Sequence, residues 1–302
     1  MPRFSDIGDT TAVDHRYADK VIIYVEDDND ARDYFFITGE EVREYLEFTA
    51  PERGGSGAGP VIERVRTERE KNPRVFGLLD GEAAALFGAV DALLQCTDIL
   101  FRLDGHDRDG LIFLGQHERE NLLLLYGDLY DLIKRDVMPG DIGRRSTVEI
   151  HSFIAPVTRR FYRAALLKYA SLTLNHAAKK SGANAGCSTI DSRRFNNPNG
   201  MAAILEQIKE RVIEEGFVTW EELMEEVSRT CTLVRTRFRT ENLNAEARHG
   251  ERLRLADGRS VLNRLRSNYS PTGRWEAQLL DGVVKSGFGE SFLYRLRELT
   301  AA

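Results

Sequence analysis

The stretch Val21-Ile22-Ile23-Tyr24-Val25-Glu26-Asp27-Asp28-Asn29-Asp30 decides how the first half of the chain is read. Five apolar residues, four of them β-branched, predict a strand buried on both faces. The acidic run ends it, and a helix is expected over about residues 29–40. Working outward, residues 44–49 (EYLEFT) read as a weaker second strand. Residues 61–71 form a charged helix closed by Pro73, and residues 75–79 (VFGLL) a third strand. This β-α-β-α-β order predicts a parallel sheet with crossover helices. Residues 98–103 and 111–114 read as two strands around the polar turn DGHDRDG, and a helix carrying Leu122 to Leu125 begins near His117.

Beyond about residue 140 the periodicity becomes helical. Tyr162, Ala165, Leu166 and Tyr169 share one face, as do Met201, Ile204, Leu205, Ile208 and Val212. Leu280, Val283, Val284, Phe288, Phe292 and Leu296 continue the pattern to the end. The expected organisation is an α/β domain over residues 1–135 and a mainly α-helical one over residues 136–302. The chain has 302 residues, 42% of them hydrophobic and 30% charged, a globular profile with ample material for a core. No apolar run approaches the length of a membrane span, and the first residues lack a signal-peptide core. Cys96, Cys187 and Cys231 are far apart and odd in number, which points to a cytoplasmic protein with reduced thiols and no structural zinc.

Ligands of an open parallel sheet collect beyond the carboxyl ends of its strands. Two strand ends here are acidic: VIIYV runs into Glu26, Asp27, Asp28 and Asp30, and VFGLL into Asp80 and Glu82. A third group, His117-Glu118-Arg119-Glu120-Asn121, follows the second strand pair. Converging carboxylates are what Mg²⁺ or Mn²⁺ takes as ligands, and a divalent ion relieves their mutual repulsion. Acidic residues after strands are equally what helix N-caps and first turns use, and Asp27, Asp28 and Asp30 fit that role. Glu26 differs, because it directly follows an apolar strand and Glu is not a favoured cap. His117 is the one histidine near these groups, placed for proton transfer or phosphate contact, or simply a surface or capping residue. The glycine run GGSGAG lacks the lysine of a P-loop and reads as a flexible loop.

A strand ending in Glu, a helix, a strand ending in D-x-D or its equivalent, and a later acidic motif resemble the TOPRIM domain of topoisomerases, bacterial primases and OLD-type nucleases. YVEDDNDARDYF resembles the VEG-x-x-D opening, FGLLDGEA the D-x-D segment, and LGQHERENLLL an E-x-E-N-x-L segment of a compact OLD-like subfamily. Length, motif order and the helical tail resemble the nuclease effectors of the PARIS anti-phage defence system. The motifs cover residues 20–125. Asp27 stands where the family has Gly, and Glu82 where it has a second Asp.

The resemblance implies a metal-dependent endonuclease. Glu26 would be the central acid, as ligand or proton-handling group. Asp80 and Glu82 would bind Mg²⁺ or Mn²⁺, Glu120 would complete the cluster with Glu118 as a second candidate, and Asp30 would orient it. It also implies an ABC-type ATPase partner that restrains the nuclease until infection, a homodimer once released, and host tRNA as substrate, with arrest of translation and abortive infection. Two alternatives stay open: an OLD-type DNA endonuclease, and a non-catalytic regulatory subunit.

Charge divides along the chain. The formal net charge is −6, yet residues 1–128 hold 14 basic and 27 acidic side chains, and residues 229–302 hold 14 and 8. Between Arg229 and Arg274 there are 11 arginines and no lysine, centred on Arg235, Arg237 and Arg239. Guanidinium forks suit phosphate oxygens and exposed bases. They also suit an acidic partner, or the acidic helix carrying Glu221, Glu222, Glu225 and Glu226.

Overall fold

The computed structural model describes residues 20–51, 57–136, 147–180, 201–215, 218–269 and 274–301. The chain is α/β: a five-stranded, mostly parallel sheet flanked by helices, followed by a helical C-terminal part. The strands are β1 (Val21–Tyr24), β2 (Leu46–Thr49), β3 (Val75–Leu79), β4 (Leu100–Phe101) and β5 (Leu111–Leu114). The helices are α1 (Asp28–Thr38), α2 (Ala58–Arg69), α3 (Val90–Gln95), α4 (Glu120–Tyr126), α5 (Leu129–Asp136) and α6 (Thr147–Lys180). They continue as α7 (Met201–Glu215), α8 (Trp220–Thr240), α9 (Ala245–Leu255), α10 (Gly258–Tyr269), α11 (Trp275–Lys285) and α12 (Phe288–Ala301).

The sheet order is β2-β1-β3-β5-β4, with β4 alone antiparallel. The chain leaves β1 toward one edge to make β2, then returns past β1 to make β3 on its other side. The gap between β1 and β3 is therefore the topological switch point, where an open α/β sheet has its crevice.

Period-two alternation divides the strands between two cores. Ile23, Phe48, Phe76, Leu78, Ile112 and Leu114 point into one, closed by α1, α4, α10, α11 and α12. Tyr34 of α1 stacks on Phe292 of α12 there, ring centroids 5.4 Å apart. Tyr24, Val75, Leu79, Leu111 and Phe113 point into the other, closed by Val61 and Val65 of α2, by α3, and by Ala165, Leu166 and Tyr169 of α6. Helix α6 joins both cores, since Ile154, Val157 and Phe161 belong to the first.

Helix α4 begins at Glu120, three residues later than the sequence suggests. Residues 115–117 instead bond to the segment after β3 and to α9: Gly81 N–H donates to Gln116 O (3.1 Å), Glu82 N–H to His117 O (3.1 Å), and His117 N–H to Arg254 O (2.9 Å). Gly81 permits this approach, because a Cβ there would lie 2.1 Å from Gln116 O. The polar turn after β4 closes with a short 3₁₀ segment, Asp107–Asp109, ending at Gly110 with φ 69°. Gly54, Gly55 and Ser56 of the glycine run, and Cys187, lie outside the described residues, while Gly57 is the N-cap of α2 and Ala58 and Gly59 begin it. Cys96 and Cys231 are free thiols. No helix among the described residues is long and apolar enough to cross a membrane.

Candidate metal centre

Two acids flank the switch point. Glu26 follows β1 and Asp80 follows β3, and the Asp80 N–H donates to Glu26 Oε1 (3.2 Å). Gly57 takes φ 96°, a conformation that favours glycine, and lies beside Glu26 Oε2, where a Cβ would make an ordinary 3.8 Å contact. The Asp80 carboxylate accepts from Arg119 N–H (3.1 Å), tying the end of β3 to the motif after β5. Burial pushes the Asp80 pKa well above the usual carboxylate range, and Glu26 and Asp30 add to it. Glu26 is raised for the same reason, with Glu82 and Asp27 adding repulsion. Two carboxylates of raised proton affinity, side by side, form a group short of positive charge.

Asp27 caps α1, its side chain accepting from Asp30 N–H (2.9 Å), while Asp28 is exposed in the first turn. Asp30 is different: it is buried, and its pKa is pushed up to about 7, chiefly by burial and then by Asp27, Glu120 and Glu26, against the pull of Arg119. Arg119 lies among three carboxylates, with Nε 3.1 Å from Asp30 Oδ1, Nη2 3.5 Å from Glu120 Oε1, and Nη1 against Asp33. Glu120 also meets Arg259 Nε at 2.9 Å.

Glu82 turns to another set of partners, Lys168 Nζ of α6 and His117 Nε2 (3.3 Å). Burial works to raise its pKa, yet His117 and Lys168 together hold the carboxyl below its ordinary value. His117 is buried, its Nδ1 bonded to the Tyr169 hydroxyl, and burial lowers its pKa. The residue is thus a buried, hydrogen-bonded imidazole and not a surface one.

A mixed group completes the region. His117, Glu118 and Asp257 each offer a ligand atom, and these atoms lie within 4.8 Å of one another, so the group can hold a metal ion. Glu118 is buried, and burial, Glu120 and Asp257 push its pKa well above the usual range. The Arg259 N–H donates to Glu118 Oε1 at 2.6 Å. The candidates Glu26, Asp30 and Asp80 therefore gather at the switch point with Glu120 and Glu118 on the motif after β5. Glu82 faces Lys168 and His117.

Lys168, Asp257, Asp33 and the pairings of Arg119 and Arg259 are not foreseen from sequence. Asp257 and Arg259 sit in the segment Asp257-Gly258-Arg259-Ser260, where Asp257 Oδ1 accepts from Ser260 N–H (2.6 Å), an N-cap pattern without a ligand signature. Of the three central arginines, Arg235 and Arg239 are exposed. Arg237 is held inside by Glu241 (2.8 Å), Glu251 (3.1 Å) and the Leu94 carbonyl (3.2 Å). Neither a scan against protein-family models nor a search of curated proteins finds a match for this chain.

Proposed function

We propose that this chain is a metal-dependent TOPRIM nuclease of the OLD-like kind, the effector of an anti-phage defence system that cuts host tRNA after release from an ABC-type ATPase. The observation that carries the reading is the pairing of Glu26 and Asp80 across the switch point of a parallel sheet, backed by the acids after β5. The motif resemblance supplies the RNA substrate, the ATPase and the released homodimer.

The donor set fits Mg²⁺ or Mn²⁺. Lys168 offsets Glu82 and Arg119 pairs with Asp30 and Glu120, yet Glu26, Asp30, Asp80 and Glu118 all keep raised proton affinities, with too little neighbouring positive charge. Asp80 and Glu120 would hold the ion, with Glu26 beside them as a further ligand or as the proton-handling group, and His117, Glu118 and Asp257 as a neighbouring set. A divalent ion bound there polarises a phosphoryl oxygen and stabilises the leaving oxygen.

The chain's own residues supply the rest. Glu26 Oε1 is oriented by the Asp80 N–H, which leaves Oε2 to take a proton from attacking water or a sugar hydroxyl. The raised proton affinity of Glu26 suits that role. Arg259 bonds Glu120 while its side chain remains 65% exposed, which suits contact with a substrate phosphate. Lys168 and His117 keep Glu82 ionised and fixed.

The test is sequencing of RNA ends after induced expression of the native chain and of Glu26→Gln, with purified protein, metal and either RNA or plasmid alongside. New RNA ends in the native chain, absent in Glu26→Gln, are expected. Undiminished cleavage by Glu26→Gln removes the site assignment. Cleavage of plasmid alone moves the reading to a DNA endonuclease.

A further inference from the structure

Sorting the arginines by partner leaves a distinct set. Arg229 is paired with Asp91 and Glu226, Arg254 with Glu251 and the Leu93 and Gly115 carbonyls, and Arg266 with Glu276. With Arg237 and Arg259 described above, these guanidiniums hold the protein together. Arg235 and Arg239 on α8, and Arg248 and Arg252 on α9, have no ion pair or hydrogen bond from their side chains among the described residues. Arg159 and Arg163 on α6 are in the same position and exposed. Each helix thus contributes an i,i+4 pair, which lies on one helix face.

The three pairs adjoin. Helix α6 packs on both α8 and α9. His151 of α6 meets His249 of α9 with ring centroids 5.1 Å apart, and the Arg252 guanidinium lies 5.9 Å from the Phe238 ring of α8. Burial lowers the His249 pKa, and His151, Arg252 and Arg159 lower it further, so Arg159 and Arg252 border the same histidine. Cys231 feels Arg235 and Arg163, which places α8 and α6 guanidiniums around one thiol.

We infer that the face shared by α6, α8 and α9 is a platform for the phosphate backbone of a folded nucleic acid, formed by Arg159, Arg163, Arg235 and Arg252 with Arg239 and Arg248 beside them. Like charges at i,i+4 weaken a helix slightly, and three adjoining pairs with no ion-pair partner among the described residues concentrate positive charge that a polyanion would offset. Arginine throughout suits phosphate oxygens.

The face is separate from the carboxylate site. Arg163 and Arg159 precede Lys168 by five and nine residues, roughly 7 and 13 Å along the helix axis, on the side turned away from Glu82. A dinucleotide at the strand ends would not touch them. The inference rests on the nuclease reading only for the identity of its ligand.

The experiment measures binding of total tRNA, and of duplex DNA of similar length, to the full chain by fluorescence anisotropy across a salt series. It uses the Glu26→Gln background in EDTA, so that cleavage plays no part. Replacing Arg159, Arg163, Arg235 and Arg252 together by Gln is expected to raise the tRNA Kd at least tenfold and to shrink the log–log salt slope by about 3. The same four positions replaced by Lys should keep the slope, which separates charge loss from misfolding. A Gln variant matching its parent in Kd and slope for both nucleic acids overturns the inference and leaves the face to an acidic protein partner. Loss confined to duplex DNA keeps the platform and makes DNA its ligand. Hydrolysis of bis(p-nitrophenyl) phosphate by the native chain against Glu26→Gln tests the catalytic reading independently. A chain that fails there but binds through these arginines loses the nuclease reading and keeps the platform.

Discussion

Asp30 shows how one side chain links the site to the stability of the whole chain. Its pKa rises from 3.8 to about 7 because burial penalises the charged form more than Arg119 rewards it. In the unfolded chain it ionises at its ordinary value. Between those two values the folded state holds the extra proton, so stability falls as pH rises. The contribution is fully present below about pH 4 and is lost as pH passes through about 7, with an upper bound of roughly 4 kcal/mol. Glu26, Asp80 and Glu118 shift in the same direction and steepen the trend. The metal-free protein should therefore melt at a higher temperature at pH 5 than at pH 8. Asp30→Asn, which removes the titration while keeping the shape, should flatten that difference. A melting series across pH in EDTA reads both, and an unchanged profile in Asp30→Asn would mean the residue is not buried among acids. Stability surrendered near neutral pH is a common consequence of gathering carboxylates for function.

Among elements, the segment after β5 does most to assemble the site, and Asn121 is its anchor. The side chain is fully buried. Oδ1 accepts from Glu118 N–H (2.9 Å), and Nδ2 donates to the Leu253 and Ala256 carbonyls (2.6 and 2.9 Å), so the acidic motif and the end of α9 share one amide. Gly258 makes room, since a Cβ there would lie 2.9 Å from Asn121 Cγ. Asn121→Leu leaves three buried backbone groups without partners, and about 3 kcal/mol of destabilisation is expected, read as a lower midpoint in chemical denaturation. A midpoint unchanged from the native chain would show that α9 is held by apolar packing alone. Asn121 also marks the boundary of what the sequence makes legible. Strands ending in acids can be read because chemistry and element adjoin along the chain, as in Tyr24 to Asp30 and Leu79 to Glu82. Lys168 gives no such signal: it is one residue inside a 34-residue helix, and only the packing of α6 brings it to Glu82. That helix is itself legible only in its middle, where Tyr162 to Tyr169 keep period, because Pro156 interrupts the pattern nearer its start. The arginine-rich segment is visible as composition, but which guanidiniums are locked inside depends on distant partners such as Asp91 and the Leu93 carbonyl.

At the scale of the molecule, the acidic N-terminal part and the basic C-terminal part meet where the candidate metal centre lies. Arg259 reaches Glu120, its backbone holds Glu118, and Asp257 completes the group with His117, so α10 and the residue before it supply both a counter-charge and a ligand to acids borne by the sheet. This compensation is incomplete, because Glu26 and Asp80 keep raised proton affinities beside each other despite the nearby Arg259 and the backbone N–H groups they accept from. A bound divalent ion should therefore stabilise the folded chain by mass action, about 2.7 kcal/mol at a free concentration one hundred times its Kd. Protons compete for the same oxygens, so the gain in melting temperature on adding Mn²⁺ should be larger at pH 8 than at pH 5. The double substitution Glu26→Gln, Asp80→Asn gives the opposite result. Removing two unpaired negative charges should raise the melting temperature in EDTA at pH 8 above that of the native chain, and the response to Mn²⁺ should largely disappear. Differential scanning calorimetry of the two proteins, with and without metal at both pH values, tests this directly. If the double variant gains as much from Mn²⁺ as the native chain, the ion sits with His117, Glu118 and Asp257 alone, and the pair at the switch point is not its seat.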